Sequence, residues 1–128
     1  MKVRGIRGAI TVTEDTEKAI ITATTKLLNE MIAANGLEED NVASVTFSLT
    51  PDLNSAFPAV AARELGWDNV ALFCCQELAI NDALDKCIRI LIHYNTDKKL
   101  GELNHIYLKD AKKLRPDLAE EGVGKNGE

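Results

Sequence analysis

The sequence has few features that would connect it to a membrane or to nucleic acid. Its 128 residues contain no apolar run near the roughly 20 residues that a membrane-spanning helix needs. No N-terminal stretch combines a basic start, a long apolar segment and a small-residue cleavage site, so we expect no signal peptide. The net charge is −5 and like charges never cluster beyond short runs, so we expect neither nucleic acid nor membrane as a partner.

Cysteine is also scarce. The only three are Cys74, Cys75 and Cys87, and an odd number with two adjacent does not form a disulfide framework. They lack the paired spacing of a zinc site, and His93 and His105 do not supply it. We therefore expect no metal site, and reduced thiols in a cytoplasmic protein.

Several common catalytic patterns are missing as well. The sequence has no serine–histidine pair in a turn context and no glycine-rich loop that would hold a phosphate. An enzyme with this sequence should therefore work without a covalent nucleophile or a metal. Several arginines with one carboxylate would suit a small dianion that also carries a hydroxyl.

The composition is that of one globular domain, with 45% apolar and 27% charged residues. Thr13, Asp15 and Thr16 offer N-caps and Asn35-Gly36 a C-terminus, and the periodic apolar pattern between them predicts the most secure helix. The glycines and charges at the end of the chain predict a mobile tail. We predict a single α/β (α+β) domain with strands at 3–12, 42–49, 69–76, 86–94 and 104–108, a first helix within 13–36, and further helical segments at 58–65 and 109–114.

One charged residue interrupts an otherwise apolar strand, "KCIRILIHY" at 86–94. An unpaired buried guanidinium is costly, so Arg89 should meet an anion. That anion could be a protein carboxylate such as Glu77, in a purely architectural pair, or a ligand. Alternation along the strand places Arg89 on one face with three neighbours, opposite a face that belongs to the core. These neighbours are Cys87, Leu91 and His93.

Arginine is rare, with five residues against ten lysines, so each position is informative. In the first strand, alternation places Arg7 on the face opposite Arg4. Gly5 and Gly8 beside Arg7 would leave space for a ligand. Arg7 could equally be a solvated residue at the edge of the sheet.

Six motifs occur in order along nearly the whole chain, over about residues 2–118. They are "RGIRGA" at 4–9, "TPDLNSAFPA" with "ARELGW" within 50–67, "CCQEL" at 74–78, "KCIRI" at 86–90, "HIYL" at 105–108 and "LRPDL" at 114–118. Together they closely resemble the compact, monofunctional chorismate mutases of the trimeric type found in Bacillus-like bacteria. The combination is far more specific than any one motif.

This resemblance implies a homotrimer of pseudo-α/β-barrel subunits, with active sites in clefts between neighbouring subunits. It implies the Claisen rearrangement of chorismate to prephenate in the biosynthesis of phenylalanine and tyrosine, without a cofactor. The chorismate mutase-like domain would span residues 1–118, followed by a flexible tail at 119–128. Catalysis would depend on holding a compact conformer and on stabilising the charge that separates in the transition state.

The resemblance also implies roles for individual residues. Arg89 matches the arginine at the ether oxygen, Arg7 the one that binds a carboxylate, and Glu77 the carboxylate that accepts from the ring hydroxyl. Cys74 matches a thiol at the hydroxyl end. The other substrate-binding residues implied are Tyr107, which reaches a carboxylate, Phe57 and Ala59 in a wall from the adjacent chain, Arg63 and Arg115 at the mouth, and Phe73 and Leu114.

Three points depart from the family pattern or conflict with simple alternation. Val60 stands where the family has a lysine, and Phe73 stands where a smaller polar residue is usual. Alternation also places Cys74 and Glu77 on opposite faces, so both can line one pocket only if the strand bends or bulges. Two other functions remain open: an enamine/imine deaminase-like trimer, and a non-catalytic sensor of a small carboxylate.

Overall fold

The computed structural model describes residues 1–116 and contains every predicted helix and strand. The strands are β1 (Lys2–Thr11), β2 (Val42–Leu49), β3 (Ala71–Gln76), β4 (Cys87–Thr96) and β5 (Ile106–Leu108). The α-helices are α1 (Glu17–Asn35) and α2 (Ala59–Glu64), and short 3₁₀ helices span Glu39–Asn41, Leu100–Glu102 and Lys109–Leu114. The expected mobile tail at 119–128 lies outside the described residues.

Of the three predicted N-cap candidates, Thr16 caps helix α1, and the helix ends at the predicted Asn35-Gly36. The hydroxyl of Thr16 accepts a hydrogen bond from the backbone N–H of Ala19 at 3.1 Å, and Gly36 ends the helix with φ 61°. That left-handed conformation is costly for residues other than glycine. Between the caps, the periodic apolar residues of α1 are buried: Ile20, Ala23, Leu27, Leu28 and Met31.

The five strands form one mixed sheet in the order β3-β2-β4-β1-β5. Strand β4 lies at the centre and pairs antiparallel with both β1 and β2, whereas the outer pairs β1–β5 and β2–β3 are parallel. Within residues 1–116, the helices are too short or too polar to cross a lipid bilayer.

One face of the sheet packs against α1 and forms the main core, as the alternation in β4 predicts. Ile88, Ile90 and Ile92 are almost completely buried there, together with Phe47 of β2. Because side chains alternate along a strand, burial of these isoleucines directs Arg89 and Leu91 to the opposite face. We call that opposite face, which no long helix within residues 1–116 covers, the open face.

Gly8 lies on the core side, and its role differs from the one predicted. A Cβ atom at this position would overlap the sulfur of Met31 and lie 3.1 Å from Leu27 Cδ1. Gly8 therefore allows α1 to approach the sheet closely, and the prediction that its missing side chain makes room for a ligand is wrong. Gly5 lies on the open face, where a Cβ would make ordinary contact with Leu91.

The last 3₁₀ helix covers one end of the open face. Its residue Ala111 packs in a small buried cluster with Ala9 of β1 and Cys87 of β4. Tyr107 and Leu114 are partly buried against the same cluster. This packing brings the C-terminal end of the described chain beside the strands that carry Arg7 and Arg89.

Candidate active site

Arg89 lies near the middle of the open face. Its position in β4 is opposite Ser48 of β2 on one side and Ala9 of β1 on the other. Its side chain is 44% exposed, so the premise that it is a buried charge is wrong. The isoleucines on either side of Arg89, Ile88 and Ile90, belong to the core face and do not enclose the guanidinium.

Glu77 is the protein anion that meets Arg89. It follows β3 directly, and its backbone N–H donates to the carbonyl of Leu49 at 2.8 Å. Arg89 Nε lies 3.3 Å from Glu77 Oε2, and the hydroxyl of Ser48 donates to Glu77 Oε1 at 2.6 Å. Each carboxylate oxygen thus has its own partner within the chain.

Around this pair is a cavity of about 360 Å³, which we call the arginine cleft. This volume lies in the range of roughly 300–1,000 Å³ that is usual for small-ligand sites. Among the described residues, three arginines and one glutamate line it, which is a local excess of positive charge although the whole chain carries −5. Six predicted site residues meet there: Arg7, Glu77, Arg89, Tyr107, Leu114 and Arg115.

The backbone of Arg7 is held by a histidine of the neighbouring segment. The Arg7 N–H donates to His105 Nδ1 at 3.0 Å, just before β5 begins to pair with β1. Burial lowers the pKa of His105, and the nearby guanidinium groups of Arg7 and Arg115 lower it further. A neutral imidazole accepts through one ring nitrogen, which is the form that this hydrogen bond requires.

A second, larger cavity of about 580 Å³ lies beside the loop before α2, and we call it the Phe57 cleft. Its lining includes Phe57, Val60 and Cys74. Asp15 Oδ1 accepts hydrogen bonds from the backbone N–H groups of Asn54 and Ser55 at 3.0 and 3.2 Å. These bonds fix the loop against the start of α1.

The structure does not bring Cys74 into the arginine cleft. The pairing of β2 with β3 runs without a shift from Ser44–Ala71 to Leu49–Gln76, so β3 lacks the bulge that the prediction required. Cys74 is opposite the fully buried Phe47 and packs against the core, where burial raises its pKa. Cys75 is opposite Ser48 and lines both clefts.

The remaining three predicted residues lie near the two clefts rather than in their described linings. Ala59 begins α2 and is buried, and Arg63 is exposed on the same helix. Phe73 lies on the open face of β3 with its residue 67% exposed. An apolar ring this exposed supplies no floor to a cavity within one chain.

Ser48 and Thr46 line the arginine cleft, and the sequence reasoning missed both. Their alternation along β2 is visible in "VASVTFSL", and it places both on the polar face of that strand. Their position beside Arg89 depends on the register between β2 and β4, which pairs Ser48 with Arg89. Composition and alternation do not specify that register.

Comparison with known proteins assigns the family. The model of the family "Chorismate mutase type I" matches residues 3–118. The chain belongs to this family. It is 49% identical over 117 residues to the Thermus thermophilus chorismate mutase AroH, covering 91% of this chain and 96% of that protein. It is 43% identical over 120 residues to the AroH chorismate mutase of Bacillus subtilis, covering 93% and 94%.

A solved chorismate mutase from Clostridium thermocellum has the same fold, with a TM-score of 0.84 and 48% sequence identity. The match covers 86% of this chain and 98% of the other. The predicted fold class and the resemblance to chorismate mutases are therefore confirmed. As a member of the chorismate mutase type I family, the chain is an isomerase rather than the deaminase considered as an alternative.

Proposed function

We propose that this protein converts chorismate to prephenate in the arginine cleft, as a step of aromatic amino acid biosynthesis. The observation that carries the proposal is the meeting of Arg7, Arg89 and Arg115 with Glu77 in one cavity of about 360 Å³. Chorismate carries two carboxylates, an ether oxygen and a ring hydroxyl. The cleft offers cationic groups for the first two and a carboxylate acceptor for the hydroxyl.

Arg89 supplies the transition-state interaction in this proposal. The rearrangement breaks a carbon–oxygen bond and forms a carbon–carbon bond within one molecule, and negative charge develops on the ether oxygen. A guanidinium already held in place by Glu77 and by β4 stabilises that charge without reorganising. This interaction strengthens as the bond breaks, so it lowers the barrier rather than only binding the substrate.

Arg7 and Glu77 orient the substrate. The planar guanidinium of Arg7 matches the two oxygens of a carboxylate, and the backbone bond to His105 fixes the strand that carries it. Glu77 accepts from the ring hydroxyl, while Tyr107, Leu114 and Arg115 close the end of the cleft beside the last 3₁₀ helix. Together these contacts favour the compact conformer in which the reacting carbons meet.

We further propose that the complete site needs a second copy of the chain, in a homotrimer. Phe57 is 71% exposed, and the Phe57 cleft is a separate cavity from the arginine cleft within one chain. Large exposed apolar side chains next to a cavity are typical of interaction surfaces. The surface around the Phe57 cleft of one subunit would then close the arginine cleft of its neighbour. Ala59 would lie behind Phe57, and Arg63 would add positive potential.

The remaining assignments concern the compartment and the domain. Cys74, Cys75 and Cys87 are free thiols, which is typical of a reducing compartment. We therefore propose a cytoplasmic enzyme without a cofactor, whose mutase domain spans residues 1–118. The family match covers 3–118 and supports that span.

The test is to incubate the purified protein with chorismate and follow both chorismate and prephenate by proton NMR. We expect prephenate to form much faster than in buffer, and an Arg89→Ala protein purified in the same way serves as the matched control. A carboxylate sensor would bind chorismate without consuming it, and that result would refute the proposed activity.

A further inference from the structure

Ser48 engages the one carboxylate among the described residues that line the arginine cleft. Its hydroxyl donates to Glu77 Oε1 at 2.6 Å, whereas the Arg89 guanidinium lies 3.3 Å from the other oxygen, Oε2. A short hydrogen bond from a hydroxyl to a charged carboxylate belongs to the stronger class of protein hydrogen bonds. Two groups thus hold the Glu77 carboxylate: the charged guanidinium of Arg89 and the uncharged hydroxyl of Ser48.

The Ser48 hydroxyl has little freedom to move, so it can restrict the motion of a side chain that it contacts. It lies inside β2, where its backbone pairs with Cys75 of β3 on one side and with Arg89 of β4 on the other. The residue is only 7% exposed, and a serine side chain has a single heavy-atom rotation. Its hydroxyl is therefore a nearly fixed point beside the base of the Arg89 side chain.

The backbone of Glu77 is held by its hydrogen bond to Leu49, but its side chain is freer to move than that of Ser48. It lies just beyond the end of β3, its side chain is 26% exposed, and the next residue, Leu78, is 80% exposed. A glutamate side chain has three rotatable bonds, so without a second partner its carboxylate could turn toward solvent. Arg89 would then lose the anion that orients its guanidinium.

We propose that Ser48 is a positioning residue for the mutase reaction, which holds the Glu77 carboxylate and, through it, the Arg89 guanidinium in the orientation that meets the substrate. This inference rests on the proposed function. Ser48 acts through Glu77 and Arg89 rather than on the substrate. Since Arg89 acts mainly in the transition state, loss of the hydroxyl should lower kcat more than it raises KM.

The first experiment compares steady-state kinetics of the wild type, Ser48→Ala and Ser48→Thr on chorismate. Alanine keeps the Cβ and removes only the oxygen, so we expect a folded protein whose kcat is lower by about tenfold, the scale of one hydrogen bond to a charged group. Threonine keeps the hydroxyl and suits a strand, so Ser48→Thr should restore most of the lost turnover.

The matched control is Ser44→Ala. Ser44 lies on the same strand, its hydroxyl bonds a side chain, His93 Nδ1, at 3.1 Å, and it is not part of the arginine cleft lining. Removing that hydroxyl should leave both kcat and KM unchanged. The comparison separates the loss of any side-chain hydrogen bond on β2 from the loss of the one that reaches Glu77.

The second experiment repeats Ser48→Ala in a Glu77→Ala background. If Ser48 acts through Glu77, the substitution should cost no further turnover there, because the group that it positions is already gone. A loss as large as in the wild-type background would overturn the inference.

The inference also fails if folded Ser48→Ala has wild-type kinetics, or if folded Ser48→Thr is as slow as Ser48→Ala. Reduced thermal stability with unchanged kcat would assign Ser48 a purely structural role and would overturn the inference as well. A wild-type protein that leaves chorismate unchanged would refute the proposed function together with this inference. An active wild type with an unaffected Ser48→Ala variant would refute the inference alone.

Discussion

Arg7 and Arg89 are diagonal neighbours on adjacent antiparallel strands, since Arg7 is opposite Leu91 and Arg89 is opposite Ala9. Both side chains leave the sheet on the open face, so two positive charges lie close together in the arginine cleft. Glu77 lines the same cleft and is the carboxylate beside them. Such an arrangement costs free energy in the empty protein. It also focuses a positive potential on one cavity, which favours a dianion that brings the missing negative charge.

The first prediction concerns Arg89. Arg89→Ala should lower kcat by about 10²–10³-fold, the usual cost of removing one preorganised transition-state donor. Arg89→Lys keeps the charge but loses the planar fork, and should still be strongly impaired. The measurement is steady-state kinetics on folded variants of confirmed assembly state.

Arg7→Ala is the comparison for this prediction. A carboxylate carries its charge throughout the reaction, so losing Arg7 should raise KM at least as much as it lowers kcat. If Arg89→Ala raised only KM and left turnover intact, Arg89 would be a binding residue and the mechanism proposed here would be wrong.

The second prediction concerns assembly. An Arg89→Ala chain lacks the proposed transition-state donor, and an Arg63→Ala chain is altered near the Phe57 cleft, where Arg63 acts electrostatically on Cys74. When the two impaired chains are refolded together, some sites should combine an intact arginine cleft with an intact neighbouring Phe57 cleft. The mixture should therefore be more active than either variant refolded alone.

Analytical ultracentrifugation completes this experiment, because a trimer should be present wherever activity returns. Full activity of the wild type in a strictly monomeric form at assay concentration would contradict a shared site.

The third prediction concerns Gly8, where helix and sheet come closest. Gly8→Ala introduces a Cβ that overlaps Met31 in the core, so we expect destabilisation of about 1–3 kcal/mol, as for other overpacked positions. Urea unfolding measures the change. Gly101→Ala is the control, since within residues 1–116 a Cβ at that glycine would meet no atom within 4 Å apart from its chain neighbours, and the substitution should be nearly neutral. Equal stability of the two variants would refute the packing role of Gly8.

The fourth prediction concerns pH. Because burial lowers the pKa of His105 in the folded protein, the unfolded chain binds a proton there more readily, with an ordinary pKa of about 6.5. The contribution of His105 to stability is therefore complete above pH ~6.5 and decreases as the pH falls toward the lowered folded value. Protonation would also break the hydrogen bond from the Arg7 N–H to Nδ1.

Urea unfolding of the wild type and of His105→Asn across this pH range tests the prediction. Asparagine offers an oxygen acceptor near the Nδ1 position but does not titrate, so the variant should lose part of the slope between stability and pH. His93 is present in both proteins, so any contribution that it makes to the slope is the same in both and cancels in the comparison. Identical slopes would show that His105 does not couple folding to protonation.

Much of the architecture could be predicted from local sequence. Three features depend on residues close together in the chain: the caps and apolar period of α1, the alternation in β4, and each of the six ordered motifs. The first two agree with the structure, and the motifs agree with the family match. Local patterns also placed Arg7 and Arg89 on faces away from the core. The wrong prediction that Arg89 is buried also has a local cause. The residues directly before and after it in β4 point to the other face of the sheet, so their apolar character says little about the exposure of the Arg89 side chain.

Only the tertiary structure decided which side chains meet. Strand register places Ser48 opposite Arg89 and directs Cys75 rather than Cys74 into the arginine cleft. Helix docking places Met31 against Gly8. A shift of one residue in pairing moves every side chain of a strand to the other face, and that register is set by contacts between segments far apart in sequence. The sequence by itself therefore determined the elements, the family and the residues able to do the chemistry, while long-range packing determined how they are held together.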